Sequence, residues 1–396
     1  MKITDIRCAI IGRQPTIRIV TDTEHSGYGA AELAKTYIAP YVMFYKDYLI
    51  GQDPRNVAQV MQRIRRMGSY KPWGSAISGI EMALWDLAGK AADLPIHRLL
   101  GGKVRDRVRV YHTAAYGERA GCEPEDYART TERFVNSPEG FTIMKHAVGF
   151  HSTMPSDIPG FFYGDPRTGA PHPNAGLLTE AGLHHMVNCV EAMVDAASGK
   201  VGIALDCGPG WTVPDAIRFG KALEKYHIMW MEDLLTGDYT PYVGADDYRE
   251  VTQATSTPTH TGEQIYLRQN FRELIEKRAV RVIGPDPLDV GGLAELKWVA
   301  EYADMHGILM APHGIGDGLL GLAALVQVSA TLPDNFIAFE CPVPPTEWWS
   351  EIVDGMPEQL ISEGHIAVPD LPGLGLNLNP EKASRYLDDA DRGFFD

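Results

Sequence analysis

The stretch that decides the fold contains three short runs, VGIALD (201–206), IMWMED (228–233) and PTHTGE (258–263). Each run is apolar or β-branched up to an acidic residue near its end, and longer amphipathic stretches separate the runs. Short buried strands that alternate with helical stretches are typical of βα units and of a parallel sheet. The sequence therefore predicts three successive parallel strands whose carboxyl ends carry Asp206, Glu232 and Glu263.

The same alternation continues on both sides of these runs. Five further candidate strands are VRVYHTA (108–114), FTIMKHA (141–147), AVRVIGPD (279–286), GILMAPH (307–313) and FIAFE (336–340). Eight βα units in a segment of this length match a TIM-type barrel, for which about 250 residues is typical. The rival architecture is a doubly wound open sheet, but the glycine-rich GxGxxG turn expected after its first strand is absent.

The first third of the chain has a different pattern. Residues 1 to 33 alternate like short strands, and residues 74–92 repeat apolar positions at helical spacing. With 396 residues the chain exceeds the size at which one core usually stops growing, roughly 250 to 300 residues. We therefore predict an α+β unit over 1–110, the barrel over 111–354, and a C-terminal segment over 355–396 that packs back on the first unit.

Composition excludes several classes of partner. The chain has 36 Lys and Arg residues against 52 Asp and Glu, a formal charge of −16. Such a field repels phosphate backbones and anionic lipid, so we expect no nucleic-acid and no membrane partner. An acidic substrate would need a local metal ion or lysine to attract it.

The five cysteines are scattered and form no CxxC pair, which favours neither a disulfide framework nor a zinc site. Charged residues interrupt the N-terminal stretch, and no apolar run approaches the ~18 residues of a membrane span. We expect a cytoplasmic protein.

The ends of the predicted strands concentrate charge at one mouth of the barrel. They carry Lys145, Asp206, Glu232, Glu263, Asp286, His313 and Glu340. Carboxylates brought together in this way need a divalent cation, a lysine or protonation. Any one of them alone would be an ordinary surface charge or helix cap, but their consecutive register favours Mg²⁺ held by Asp206, Glu232 and Glu263.

Asp286 and His313 end adjacent predicted strands. The carboxylate can therefore bind one imidazole nitrogen and leave the other as a general base. The alternative is a structural histidine satisfied by an aspartate. The small residues of APHGIGDG (311–318) leave the ring accessible and favour the catalytic dyad.

Together these motifs resemble the enolase superfamily, and specifically its mandelate racemase subgroup, over nearly the whole chain. The run AISGIEMALWDLAGKAADLPIHRLLGG (76–102) is similar to the subgroup's capping-domain signature. The ALD, WMED and GEQ strand ends, then PDPLDVGG and APHG, match its metal-ligand and Asp-His stations in order.

The resemblance implies a modified TIM barrel with an N-terminal α+β capping domain that the C-terminal segment completes. It implies Mg²⁺ on Asp206, Glu232 and Glu263, and abstraction of the proton α to a substrate carboxylate, since members of this superfamily pair a Lys or His base with Mg²⁺. Lys145 and a protonated Glu340 would stabilise the enediolate. The resemblance also implies that this chain forms a homo-oligomer, which in the family is often an octamer.

Two departures from the subgroup bear on the reaction. Where many members carry KxK on the second strand, this chain has Lys145-His146-Ala147, and His146 should face a helix by strand alternation. Where many have Asn or His two residues after the first metal ligand, this chain has Gly208. The loss of a second base favours one-base dehydration of an aldonic or related sugar acid to a 2-keto-3-deoxy acid.

Other readings stay open at the level of sequence. An epimerase, racemase or cycloisomerase would need a second group, and His151 or His172 in the long 151–175 loop could supply it. That loop could equally be an oligomer contact. A non-catalytic homologue on the same scaffold is a third reading. Substrate choice should come from capping loops around 12–15 and 41–48, which contain Arg13, Tyr45 and Lys46.

Overall fold

The computed structural model describes residues 1–68, 73–114, 120–163, 177–235, 244–314, 318–341, 348–354, 357 and 359–396. Within these ranges an antiparallel sheet with its helices precedes a larger parallel sheet with helices between its strands. No helix in the described ranges combines the length and the apolar character that crossing a bilayer requires.

The N-terminal unit packs a small sheet against helices. Its elements are β1 (Ile3–Ile11), β2 (Gln14–Thr21), β3 (Ser26–Ala30), α1 (Ala39–Phe44), α2 (Lys46–Leu49), α3 (Val57–Ile64), α4 (Trp73–Ala92) and α5 (Ile96–Leu99). The strands pair antiparallel in the order β1-β2-β3. Helix α4 crosses β3 so closely that a Cβ on Gly29 would lie 2.0 Å from the carbonyl oxygen of Gly79. The glycines of GYGA are required for this contact.

The barrel alternates strands and helices along the chain. Its elements are β4 (Arg107–Ala114), α6 (Pro124–Val135), β5 (Ile143–Ala147), α7 (Met154–Asp157), α8 (Glu180–Ala197), β6 (Gly202–Asp206), α9 (Val213–Leu223), β7 (Met231–Glu232), α10 (Ala245–Ala254), β8 (Thr259–Thr261), α11 (Arg268–Glu276), β9 (Val282–Ile283), α12 (Leu293–Met305), β10 (Leu309–Met310), α13 (Gly318–Ser329) and β11 (Phe339–Cys341). The strands pair in parallel in the order β10-β9-β8-β7-β6-β5-β4-β11.

The sheet closes where β10 meets the segment that leads into β11, the two ends of this strand order. Met310 forms a parallel bridge with Phe336, and the N–H of Ile337 donates to the Met310 carbonyl at 2.8 Å. The predicted TIM-type architecture is confirmed. The strands are shorter than the sequence predicts, because Glu263, Asp286 and His313 lie in the loops that follow β8, β9 and β10.

One apolar layer fills the barrel interior. It contains Tyr111, Ile143, Ala204, Trp230, Val282, Ala311 and Ala338. Successive side chains on a strand point to opposite faces, so the residue two positions later also points inward. This alternation places the next inward residues of each strand above the layer, at the carboxyl end of the barrel.

The C-terminal segment contacts both units. Its elements are α14 (Trp348–Ile352), β12 (Val353–Asp354), β13 (His365–Ala367), β14 (Asn377–Leu378) and α15 (Pro380–Ala383). Strand β13 pairs antiparallel with β4 of the barrel. Further along, the N–H of Gly12 donates to the Tyr386 carbonyl at 2.9 Å, so the end of the chain closes on the N-terminal sheet.

Candidate active site

The inward alternation of the strands builds the base of the site. The residues two positions beyond the apolar layer are Thr113 on β4, Lys145 on β5, Asp206 on β6, Glu232 on β7, His313 after β10 and Glu340 on β11. All of them are buried. Buried charges are tolerated only when they are paired or hydrogen-bonded, so their contacts decide what the site can do.

Lys145 is the central cation. Its Nζ lies 2.7 Å from Glu232 Oε1, 3.1 Å from Glu340 Oε1 and 3.6 Å from Asp206 Oδ2. Burial alone would lower the pKa of Lys145, but Glu232 and Glu340 raise it well above its ordinary value. The lysine therefore stays charged, and its ammonium group is available to a substrate anion.

The Asp286–His313 dyad forms as the sequence predicts. His313 Nδ1 lies 2.6 Å from Asp286 Oδ2, and the other Asp286 oxygen accepts the N–H of Leu288 at 2.6 Å. His313 Nε2 lies 3.4 Å from both Glu263 and Glu340. Burial would lower the pKa of His313, but these carboxylates raise it well above its ordinary value.

The structure places Glu340 beside Lys145 and His313. It accepts hydrogen bonds from Thr113 and, at 3.4 Å, from the N–H of Gly314. Burial would raise the pKa of Glu340, whereas Lys145 and His313 lower it below its ordinary value. The carboxylate form is favoured, so Glu340 joins the lysine to the histidine as an acceptor.

An acidic cluster lies beside the lysine. Among the described residues, Glu232, Asp233 and Glu263 bring one ligand oxygen each within 4.8 Å of one another. Asp206, the third predicted ligand, is not a member of this group, but its Oδ2 lies 3.6 Å from Lys145 Nζ. Asp233 is a member that sequence reasoning missed, although it follows Glu232 in WMED; its Oδ1 accepts a hydrogen bond from Thr261 at 2.5 Å.

The cluster carries more negative charge than Lys145 neutralises. Burial, opposed by Lys145 and assisted by Glu232, raises the pKa of Asp206 to about 7. Burial and Glu263 raise the pKa of Asp233 well above its ordinary value. Carboxylate oxygens in excess of local cations are the donor set that hard divalent ions prefer, so these residues fit such an ion.

Glu232 is held by two aromatic neighbours. Trp230 Nε1 donates to its Oε2 at 3.0 Å, and His260 Nδ1 lies 3.4 Å from the same oxygen. Burial would raise the pKa of Glu232, but Lys145 and His260 lower it to about 2. Supporting contacts of this kind orient metal ligands.

Two family models match most of the chain. Residues 19–101 match the mandelate racemase / muconate lactonizing enzyme N-terminal domain, and residues 127–383 match the enolase C-terminal domain-like family. The chain belongs to the mandelate racemase subgroup of the enolase superfamily. In this enolase-superfamily chain Lys145 contacts Glu232, and Asp286 contacts His313.

Individual relatives of this superfamily member cover almost its full length. It is 32% identical to the D-xylonate dehydratase of Haloferax volcanii over 98% of this chain and 89% of that protein. It is 27% identical to a D-galactonate dehydratase of Variovorax paradoxus over 96% and 93%. A solved mandelate racemase/muconate lactonizing enzyme-like protein of Rubrobacter xylanophilus superposes with a TM-score of 0.81, 31% identity and 98% coverage of both chains.

This chain differs from many subgroup members at two positions, Ala147 and Gly208, and the structure shows what surrounds each of them. Ala147 is buried on β5, and His146 turns outward, with its Nε2 3.0 Å from the Thr131 hydroxyl of α6. Gly208 leaves space that His151 fills, and His151 Nε2 lies 3.5 Å from Asp206 Oδ2. Burial and Lys145 lower the pKa of His151 to about 4. His172 lies outside the described residues.

The capping loops contribute differently from the sequence-based expectation. Tyr45 is buried in the core of the N-terminal unit, and Lys46 binds Asp5 at 2.7 Å. Arg13 is exposed. Glu32 instead reaches the site, since its ligand oxygen lies within 4.8 Å of ligand atoms of Asp286 and His313. The acidic end of GYGAAE was the only sequence signal for it.

Proposed function

We propose that this protein is a Mg²⁺-dependent dehydratase that converts an aldonic or related sugar acid into a 2-keto-3-deoxy acid. The observation that carries the proposal is the Asp286–His313 dyad. His313 Nε2 lies 3.4 Å from Glu340 Oε2, and the other oxygen of Glu340 lies 3.1 Å from Lys145 Nζ. Relatives named D-xylonate dehydratase and D-galactonate dehydratase support the substrate class.

His313 is positioned to move the proton. Its Nε2 takes the proton from the carbon next to the substrate carboxylate, while Asp286 on Nδ1 keeps the ring oriented and stabilises the imidazolium. The carboxylates of Glu263 and Glu340, each 3.4 Å from Nε2, can stabilise the imidazolium that forms when His313 takes this proton.

Lys145 stabilises the charge that develops when the proton leaves. The substrate carboxylate oxygens gain negative charge in the enediolate, and the Lys145 ammonium group can approach them while Glu232 and Glu340 hold it. Asp206, Glu232 and Glu263, together with Asp233, would hold Mg²⁺, which supplies further electrostatic stabilisation to the same oxygens.

The elimination step uses the same histidine. The electron pair of the broken Cα–H bond forms the new carbon–carbon double bond, and the β carbon–oxygen bond breaks. The departing hydroxyl takes the proton back from His313 and leaves as water. The resulting enol then tautomerises to the 2-keto-3-deoxy acid, so no further co-reactant is needed.

A panel of aldonic and aldaric acids, incubated with enzyme and Mg²⁺, tests the proposal. The expected result is a 2-keto product on at least one acid, detected as its semicarbazone, with one water lost. An epimer or a ring-opened isomer that forms without loss of water would reject dehydration.

A second candidate, epimerisation or cycloisomerisation, is favoured by His151. Its ring lies 3.5 Å from Asp206 and so brings a second imidazole to the site. Solvent deuterium at Cα of recovered substrate, with no keto product, would identify this reaction. A non-catalytic homologue would behave identically in every assay after His313→Asn.

A further inference from the structure

Two side chains of the N-terminal unit bind Asp289, which lies in the loop that carries Asp286. Lys35 Nζ lies 2.5 Å and 2.7 Å from the two carboxylate oxygens of Asp289, and Ser75 also donates to Asp289. The Asp289 N–H donates to the Asp286 carbonyl at 3.1 Å, so both aspartates belong to one turn. A shift of the N-terminal unit would therefore move the carboxylate that orients His313.

The Lys35–Asp289 pair is buried between the two units. Only 11% of the Lys35 side chain and 4% of the Asp289 side chain are exposed. Breaking such a pair leaves an uncompensated buried charge, so the contact strongly resists displacement. A contact that serves only to attach the two units could lie anywhere on their interface, whereas this one ends on the catalytic loop.

Glu32 extends the same contact to the dyad itself. Its Oε2 lies 3.1 Å from Lys35 Nζ, and its buried Oε1 has no hydrogen-bond partner among the described residues. One Glu32 oxygen lies within 4.8 Å of ligand atoms of both Asp286 and His313. Burial, with Asp289 and Asp286, raises the pKa of Glu32 well above its ordinary value, which favours a neutral side chain beside the dyad.

We propose that Lys35 and Glu32 are positioning residues that couple the seating of the N-terminal unit to the geometry of the Asp286–His313 dyad. This inference rests on the proposed function, because it assigns His313 as the base. Misplacing a reacting group by about 1 Å can cost on the order of 10²-fold in rate. The Lys35 and Glu32 contacts would keep His313 aligned only when the N-terminal unit is packed on the barrel.

Three variants and one control test the coupling in the full-length protein. Lys35→Met and Glu32→Gln should lower kcat by roughly ten- to a hundredfold and leave KM within about threefold. Lys35→Arg should restore most of kcat, because it keeps the cation. The control Lys90→Met removes a similar pair, Lys90–Asp86 at 2.6 Å, whose aspartate otherwise accepts the N–H groups of Tyr28 and Leu374. It should lower stability without changing kcat.

A spectroscopic measurement makes the test independent of turnover. The His313 Nδ1–H···Asp286 bond of 2.6 Å should give a far-downfield proton resonance, assigned by its loss in His313→Asn. Without substrate, Lys35→Met and Glu32→Gln should shift it, and Lys90→Met should not. If the wild-type protein dehydrates no acid of the panel but Lys35→Met and Glu32→Gln still shift this resonance, the proposed function is rejected and the coupling is supported.

The coupling is overturned if folded Lys35→Met and Glu32→Gln keep both the wild-type kcat and the wild-type resonance. If Lys35→Met does not fold, Glu32→Gln decides alone, because it is nearly isosteric and leaves the Lys35–Asp289 pair in place.

Discussion

His151 fills the space that a side chain at residue 208 would need. A Cβ on Gly208 would lie 2.5 Å from His151 Cβ and 2.8 Å from its Nδ1. The backbone enforces this proximity, because the His151 N–H donates to the Cys207 carbonyl at 3.1 Å and the Val148 N–H donates to the Asp206 carbonyl at 2.8 Å. His151, in the loop after β5, thus occupies the space left by the missing side chain at Gly208, in the loop after β6.

Gly208→Ala should therefore lower the free energy of unfolding by more than its positive φ alone would, because the new methyl group also clashes with His151. Gly208 has φ +60°, and a non-glycine residue there costs on the order of 1–3 kcal/mol. The matched control is Gly199→Ala, at φ +70° with no atom within 4 Å of its Cβ position. Urea unfolding should give the larger loss for Gly208→Ala, and adding His151→Gly, which removes the Cβ at 2.5 Å, should recover part of it. Equal losses for both glycine variants would contradict the prediction.

His313→Asn should abolish catalysis while preserving the fold. Removing a general base typically costs 10²- to 10⁴-fold in rate, and asparagine can still bind Asp286. We expect the loss in both dehydration and Cα deuterium exchange, measured by NMR in D₂O. Asp286→Asn should give a smaller loss in both. Exchange at the wild-type rate in His313→Asn would assign the base to another residue.

Divalent metal should stabilise the protein through the acidic cluster. A ligand at about 100 times its Kd adds roughly 2.7 kcal/mol to the free energy of unfolding. Thermal unfolding should therefore show a higher Tm with Mg²⁺ than with a chelator, and Glu232→Gln should remove the difference. The surface variant Glu363→Gln, which loses only a pair with Arg107, should retain it.

Asp233→Asn tests the member of the cluster that the sequence did not predict. Its oxygen lies within 4.8 Å of ligand oxygens of Glu232 and Glu263, so the variant should weaken the Mg²⁺ dependence of Tm. An unchanged Mg²⁺ titration would confine the site to Asp206, Glu232 and Glu263.

Local alternation was enough to predict the barrel and most of its site. Each predicted strand that carries Lys145, Asp206 or Glu232 near its carboxyl end places that residue inward by strand periodicity, and parallel strands bring their carboxyl ends together. His313 and Asp286 could be paired because their strands are neighbours in the barrel order.

Contacts between distant segments could not be predicted in this way. Glu32 reaches the dyad through the packing of the N-terminal unit on the barrel, and the acidic end of GYGAAE does not indicate that neighbour. The separation of 3.1 Å between Lys145 and Glu340 likewise follows from side-chain packing rather than sequence spacing.

Glu81 gives the stability of the protein a predictable pH dependence. From α4 it accepts the N–H groups of Leu293 at 2.8 Å and Ala294 at 3.1 Å, so it caps α12 of the barrel, and Trp85 Nε1 donates to it at 2.6 Å. Burial raises the pKa of Glu81 from 4.5 to about 7, although these hydrogen bonds oppose the shift.

Because the pKa of Glu81 is higher in the folded protein, the native state binds more protons than the unfolded chain between about pH 4.5 and 7. The contribution of Glu81 to stability is therefore full below pH 4.5 and is lost as the pH rises through 7, by about 3 kcal/mol at 1.36 kcal/mol per pKa unit. Glu81→Gln should lower the free energy of unfolding at pH 5 and remove the part of its pH dependence that comes from Glu81. Urea unfolding of both proteins from pH 5 to 8 should give free energies that converge, whereas parallel curves would mean that Glu81 stays ionised throughout.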